Sequence, residues 1–353
     1  MLMRIIDGDG HVIEDLAAIE KRLPREMLGG MRALFPPLDH FHVFVGETPP
    51  GSFRGDVRAP QWIEFLDDVG IEATVLYPTW GLAYGRIFHA DWAIAATRAY
   101  NDWLHEAYLA KSPRLKGMAL IPMQDPAEAA KELRRAVKEL GFVGAMLPST
   151  GLPNHLGAKE YWPVYEEANR LRCALAVHGG SHSGLGMDHM NVYPPVQGLG
   201  HPLGLVINLG GVLFNGVLDR FPNARFGFME GGVAWVLMAQ ERFERAHATH
   251  RQYNPRGELA PPADASVSDY IRRHVREGRL CFGCEGDEPM IAEAIEQIGS
   301  NAFLYSSDFP HEVNNASCKH ELAEFAANNR IAPADKEAVM HANAQRFYGL
   351  AAA

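Results

Sequence analysis

With 353 residues, 47% of them apolar and 22% charged, the chain has the composition of a soluble globular protein. Its 43 acidic against 33 basic residues leave a formal charge of −10, which excludes a partner such as nucleic acid or an anionic membrane held by bulk electrostatics. No run approaches the roughly 20 uninterrupted apolar residues of a membrane span, Met1-Leu2-Met3-Arg4 leads straight into a strand with no secretory leader expected, and the four cysteines fit a reducing cytoplasm.

In chain order, short apolar runs bounded by turn residues predict strands over 4–10, 72–78, 115–122, 143–148, 173–178, 224–229, 279–283 and 303–307. Helix-period segments separate them, over 61–69, 90–111, 126–140, 160–170, 203–218, 233–247 and 288–298. The strand runs are continuously apolar, as strands covered on both faces must be. Eight such strands alternating with helices predict an α/β fold, a distorted (β/α)8 barrel formed by 1–353 as a single domain. Three irregular stretches, 36–59, 179–200 and 252–266, are expected to form loops at the barrel mouth. Two further helices over 319–328 and 333–347 are expected to cap the barrel or serve an oligomer contact.

The ends of the strands carry the chemistry. The first ends in Asp7-Gly8-Asp9-Gly10-His11, and Asp9 and His11, two residues apart, project from one face of an extended chain. The fifth ends in Val177-His178-Gly179-Gly180, the sixth in Met229-Glu230-Gly231-Gly232 and the eighth in Ser307-Asp308-Phe309-Pro310-His311. A barrel brings these ends to one mouth, so Asp9, His11, His178 and Asp308 are expected to surround one divalent ion, Zn²⁺, Mn²⁺ or Fe²⁺. Cys281 and Cys284 have the spacing of half a zinc site but lack a second pair, and are read as structural.

Together these segments resemble the amidohydrolase-related family that includes aminocarboxymuconate semialdehyde decarboxylase and the salicylate-type decarboxylases. The resemblance extends to Arg220-Phe221-Pro222-Asn223-Ala224-Arg225 ahead of Glu230 and Trp235, to Asn101-Asp102 and to Asp125-Pro126. It implies a distorted barrel, one metal ion, zinc or manganese, and a homodimer. Two departures stand out. Asp9-x-His11 replaces the His-x-His of the aminocarboxymuconate enzymes, and Glu230 stands where relatives carry a histidine.

A metal with two imidazoles and two carboxylates serves two chemistries. The first is non-oxidative decarboxylation of a small planar hydroxylated or unsaturated acid, with Asp308 delivering a proton and Glu230 as a second acid–base group. Hydrolysis of a cyclic amide, lactone or ester in the same site is the alternative, and a non-catalytic binding barrel is a third reading. Arg58, with Arg54 in the same loop, is the candidate clamp for a carboxylate. Tyr77, Trp80, His182 and His311 are the other candidate substrate contacts.

Overall fold

The structure, a computed structural model, describes residues 3–28, 32–41, 55–262 and 264–351. Arg54 and much of the 36–59 stretch lie outside the described residues. Eight strands follow in chain order: β1 (Ile6–Val12), β2 (Ala73–Pro78), β3 (Leu115–Leu120), β4 (Gly144–Pro148), β5 (Ala174–His178), β6 (Arg225–Met229), β7 (Leu280–Cys284) and β8 (Phe303–Tyr305). Each pairs in parallel with the next. The seam between β8 and β1 is joined by Asp308 N to Asp9 O (3.0 Å) and His11 N to Phe309 O (2.7 Å). Asp7 clasps the same seam: its carboxylate accepts from Thr74 Oγ1 at 2.6 Å, Ser307 N at 2.8 Å and Ser307 Oγ at 2.9 Å. The expected (β/α)8 barrel is thus present, and Asp7 serves its closure.

β1 differs from its predicted span in a way that matters. It runs two residues further, so Asp9 and His11 lie inside the strand, and its register against β2 slips between Asp7 and Gly10. Such a bulge locally re-aims side chains and is common beside active sites.

The helix between β5 and β6 corrects the expected loop over 179–200, because the chain is helical over Tyr193–Phe214. Pro194 and Pro195 fall in its first turn, where a missing N–H costs nothing. Its glycines allow close approach. A Cβ on Gly200 would sit 2.1 Å from the His182 ring, and one on Gly211 2.4 Å from His155. The helix is long and apolar enough to cross a membrane by length and composition, but Leu205, Leu209, Val212 and Leu213 are buried in the barrel wall, each stabilising it by about 2 kcal/mol. The 252–266 stretch carries no helix or strand among its described residues.

After β8 come helices Asn315–Ala327 and Pro333–Glu337, a wider π-type turn at Ala338–Ala342 and a last helix Asn343–Tyr348. The last helix inserts into the barrel. Tyr348 Oη donates to Gly8 O at 2.5 Å and lies 2.8 Å from Tyr77 Oη, so the C-terminal segment forms the floor beneath the strand that carries Asp9.

Candidate metal centre and active site

Asp9 and His11 from β1, His178 at the end of β5 and Asp308 just after β8 meet at one point. His178 Nε2 is 3.1 Å from Asp9 Oδ1, and His11 Nε2 is 3.5 Å from Asp9 Oδ1 and 3.4 Å from Asp308 Oδ1. Donors bound to a common ion at about 2.1 Å stand roughly 3.0–3.4 Å apart, so this spacing suits one cation. Both imidazoles turn Nε2 toward the cluster and Nδ1 toward a backbone carbonyl. His11 Nδ1 lies 2.8 Å from Pro78 O and His178 Nδ1 2.9 Å from Gly179 O. A carbonyl only accepts, so both Nδ1 atoms carry a proton; the lone pair of His11 Nε2 then faces inward, while His178 Nε2 donates to the Asp9 carboxylate and would give up that proton to a cation. His11 Nε2 is buried with no hydrogen-bond partner, an acceptor left unsatisfied unless a cation sits there. The donor set therefore fits a divalent metal.

In the metal-free protein a proton answers the same negative charge. Burial lowers His178, yet the adjacent Asp9 carboxylate outweighs it and the ring is pushed up to about 9. His11, with burial and then His311 and His178 against it, is held well below the ordinary histidine value.

A second layer surrounds this cluster. The His311 ring stacks on His11 with centroids 4.1 Å apart, and its Nδ1 is 2.7 Å from Asp308 Oδ1. Its Nε2 lies 2.8 Å from Thr79 Oγ1, whose own hydroxyl donates to Val12 O at 2.9 Å. Thr79 therefore accepts from His311 Nε2–H, leaving Nδ1 as the atom that trades a proton with Asp308. Glu230 stands behind His178, with Oε2 3.3 Å from His178 Nδ1, and its Oε1 is 3.6 Å from His201 Nε2. Burial, then Asp308, pushes Glu230 well above the ordinary carboxylate range.

Backbone geometry singles out the same residues. Among the described residues three non-glycine positions have positive φ: Arg172, Glu230 (58°) and Asp308 (55°). That left-handed region costs a side chain about 1–2 kcal/mol, and two of the three cases are the acids at this mouth.

Above the cluster lies a cavity of about 440 Å³ bordered by Gln197, His201, Glu230, Glu285, Asp308 and Glu312, among others. Glu230 and Asp308 thus reach it, whereas the five predicted substrate contacts do not line it. Arg58 is the N-cap residue of Ala59–Val69 and donates to Val57 O, with no described contact to the ligand cluster. Tyr77 packs its ring 5.0 Å from that of His178 but turns its hydroxyl down to Tyr348. Trp80 donates its backbone N–H to Glu14 Oε2. His182 is buried against His201, with Nδ1 3.3 Å from Asp39. His311 acts at one remove, through Asp308.

Of the cavity residues named, Gln197, His201, Glu285 and Glu312 have no counterpart among the sequence expectations. His201 sits in the helix whose start reads as loop. Glu285 directly follows the last residue of β7, Cys284, so the strand-end rule that finds His178 also finds Glu285 once that strand is extended by one residue. Both Cys281 and Cys284 are buried inside β7 as free thiols.

Residues 40–350 match the family described as Amidohydrolase. The chain is 26% identical over 301 residues to gamma-resorcylate decarboxylase of Polaromonas sp. (strain JS666), covering 82% of this chain and 86% of that one. It is 27% identical over 311 residues to 2-amino-3-carboxymuconate-6-semialdehyde decarboxylase of Dictyostelium discoideum, covering 87% and 80%. Among solved structures, 5-carboxyvanillate decarboxylase from Novosphingobium aromaticivorans, complexed with manganese and 4-hydroxy-3-methoxy-5-nitrobenzoic acid, superposes with a TM-score of 0.76 at 18% identity, over 99% of this chain and 97% of that one.

Proposed function

The chain belongs to the amidohydrolase family, and from that premise we propose that it is a metal-dependent non-oxidative decarboxylase of a small planar hydroxylated carboxylic acid, working with manganese. The observation that carries this reading is Asp308: one side chain that reaches the ligand cluster, borders the cavity and stands 2.7 Å from an imidazole able to exchange a proton with it. The curated relatives, decarboxylases over most of their length, support the reaction type.

Asp9, His11, His178 and Asp308 would hold the ion. When bound, it supplies Lewis acidity toward the oxygens of the substrate. Asp308 carries a proton to the carbon that bears the reacting carboxylate, and CO₂ departs as that carbon–carbon bond breaks. His311 restores the proton through Nδ1, while Thr79 keeps Nε2–H occupied and the ring in place. Gly179 O accepts from His178 Nδ1–H and so keeps Nε2 of that ligand aimed inward, with Glu230 Oε2 3.3 Å from the same Nδ1.

The test is CO₂ release from a panel of hydroxybenzoates by the Mn²⁺-loaded protein. Asp308→Asn is expected to lower kcat by about 10²–10⁴, the range of a general acid. Incorporation of solvent ¹⁸O into product, without CO₂, would establish a hydrolase instead.

A further inference from the structure

Glu14 is a buried carboxyl group just past the end of β1. Its two oxygens collect three consecutive backbone N–H groups: Oε2 accepts from Thr79 and Trp80, each at 3.1 Å, and Oε1 from Gly81 at 2.8 Å. Burial pushes this carboxyl up to about 7, against the pull of the backbone N–H groups. Protonation does not abolish the clasp, because a carbonyl oxygen has two lone pairs and a hydroxyl oxygen still accepts.

The three N–H groups open the tight helical turn Trp80–Arg86 that follows β2. At such a start the residue in the capping position, here Thr79, ordinarily turns its hydroxyl onto a free N–H two or three residues on. Thr79 makes no such bond. Its hydroxyl donates instead to Val12 O at 2.9 Å and accepts from His311 Nε2 at 2.8 Å. Glu14 thus caps the turn from another element and releases the Thr79 hydroxyl for His311. The preceding residue, Pro78, presents its carbonyl to Nδ1 of His11 at 2.8 Å, so the clasped segment orients two imidazoles of the site. It is also tightly folded: a Cβ on Gly81 would lie 2.7 Å from that of Pro78. Without the Glu14 acceptor, the Gly81 N–H would compete for Thr79 Oγ1. His311 would then lose the partner of its Nε2–H, and with it the orientation that aims Nδ1 at Asp308, 2.7 Å away.

Resting on the decarboxylase reading, we propose that Glu14 is a positioning residue of the active site, which caps the Thr79–Gly81 turn so that the Thr79 hydroxyl stays committed to His311.

The test has one readout that needs no turnover. In the full chain labelled with ¹⁵N-histidine and loaded with diamagnetic Zn²⁺, nuclear magnetic resonance follows solvent exchange of the His311 Nε2 proton. Glu14→Gln leaves one accepting oxygen where there were two and turns an NH₂ group toward donors. Exchange is expected to quicken at least about tenfold, the worth of one hydrogen bond. In the Mn²⁺-loaded protein kcat should fall about 10–100-fold, with KM changed by less than about twofold. Thr79→Val should produce the same two effects, and Glu14→Gln added to it should cost nothing more, since both act through one hydroxyl. A purely structural role would make the two losses additive. Should Glu14→Gln not fold, Glu14→Asp, which draws the carboxyl back by one methylene, is read by the same measurements. Unchanged exchange of the His311 proton, or additive losses in the double variant, overturns the proposal. Absence of CO₂ release from every hydroxybenzoate would overturn the decarboxylase reading, while the exchange rate still decides whether Glu14 holds His311 through Thr79.

Discussion

Tyr348 lies 340 residues from Gly8 in sequence and supports it directly, which makes Tyr348→Phe a sharp test of how the metal centre is held. The substitution keeps the ring and removes one oxygen, so it opens almost no cavity. It does strand two groups: the Gly8 carbonyl, buried within β1, and the Tyr77 hydroxyl, also fully buried. A net hydrogen bond is worth about 1 kcal/mol and an orphaned buried partner costs about 1–3 kcal/mol, so the expected loss is about 2–4 kcal/mol. Tyr77→Phe should cost less, about 1 kcal/mol, because Tyr348 still reaches Gly8 O. The double variant should be no worse than Tyr348→Phe alone, since the orphaned Tyr77 hydroxyl is gone; that non-additivity is the signature of a shared chain. Gly8 lies between the clasp Asp7 and the ligand Asp9, so Mn²⁺ affinity should fall about tenfold in Tyr348→Phe, roughly 1.4 kcal/mol. Urea denaturation of the metal-free proteins and Mn²⁺ titration followed by electron paramagnetic resonance read both effects. A stability loss below about 0.5 kcal/mol, or strictly additive costs, refutes the reasoning.

Three further outcomes are expected. Glu230→Asn replaces a residue at φ 58° with one that tolerates the left-handed region, so stability should rise by about 1 kcal/mol while CO₂ release falls at least about tenfold; a variant that is both less stable and fully active would contradict the strain argument. Because Asp9 holds His178 up to about 9 against burial in the metal-free protein, Mn²⁺ must displace a proton at neutral pH. Apparent affinity should then rise about tenfold per pH unit and level off above that value, with calorimetry in buffers of different ionisation heat counting one proton released. Cys281→Ser and Cys284→Ser, both inside β7, should leave Mn²⁺ stoichiometry unchanged by elemental analysis; loss of metal in either would relocate the site.

The barrel was legible because its strands are buried on both faces, which writes each as an uninterrupted apolar run in the sequence. The ligands were legible for a related reason: His178 ends such a run abruptly, and Asp9 and His11 keep the two-residue spacing that puts them on one face. What was not legible depends on distant partners. Pro194, Pro195, Gly198 and Gly200 carry loop chemistry locally, and only the approach of His182 and the tolerance of the first helical turn make the segment a helix, which hid His201. Glu285 was masked by the zinc-like spacing of the two cysteines before it. Arg58 illustrates the converse error: an arginine ahead of a strand looks like a clamp, but which way a loop residue projects is set by tertiary contacts, here its place as the N-cap of the following helix.

Glu230 joins these strands of argument. At the level of sequence it is the departure from relatives that carry a histidine after the sixth strand. In the structure its two oxygens face different partners, Oε2 toward the outer nitrogen of a metal ligand and Oε1 toward His201 at the cavity. Burial and Asp308 favour the neutral form of that carboxyl in the metal-free protein, and a cation bound at His178 favours the ionised form, which in turn raises the basicity of the ligating imidazole. Metal affinity and the ionisation of Glu230 are thereby coupled through one side chain held in a strained backbone. Loss of that carboxyl group is expected to weaken Mn²⁺ binding, read by electron paramagnetic resonance.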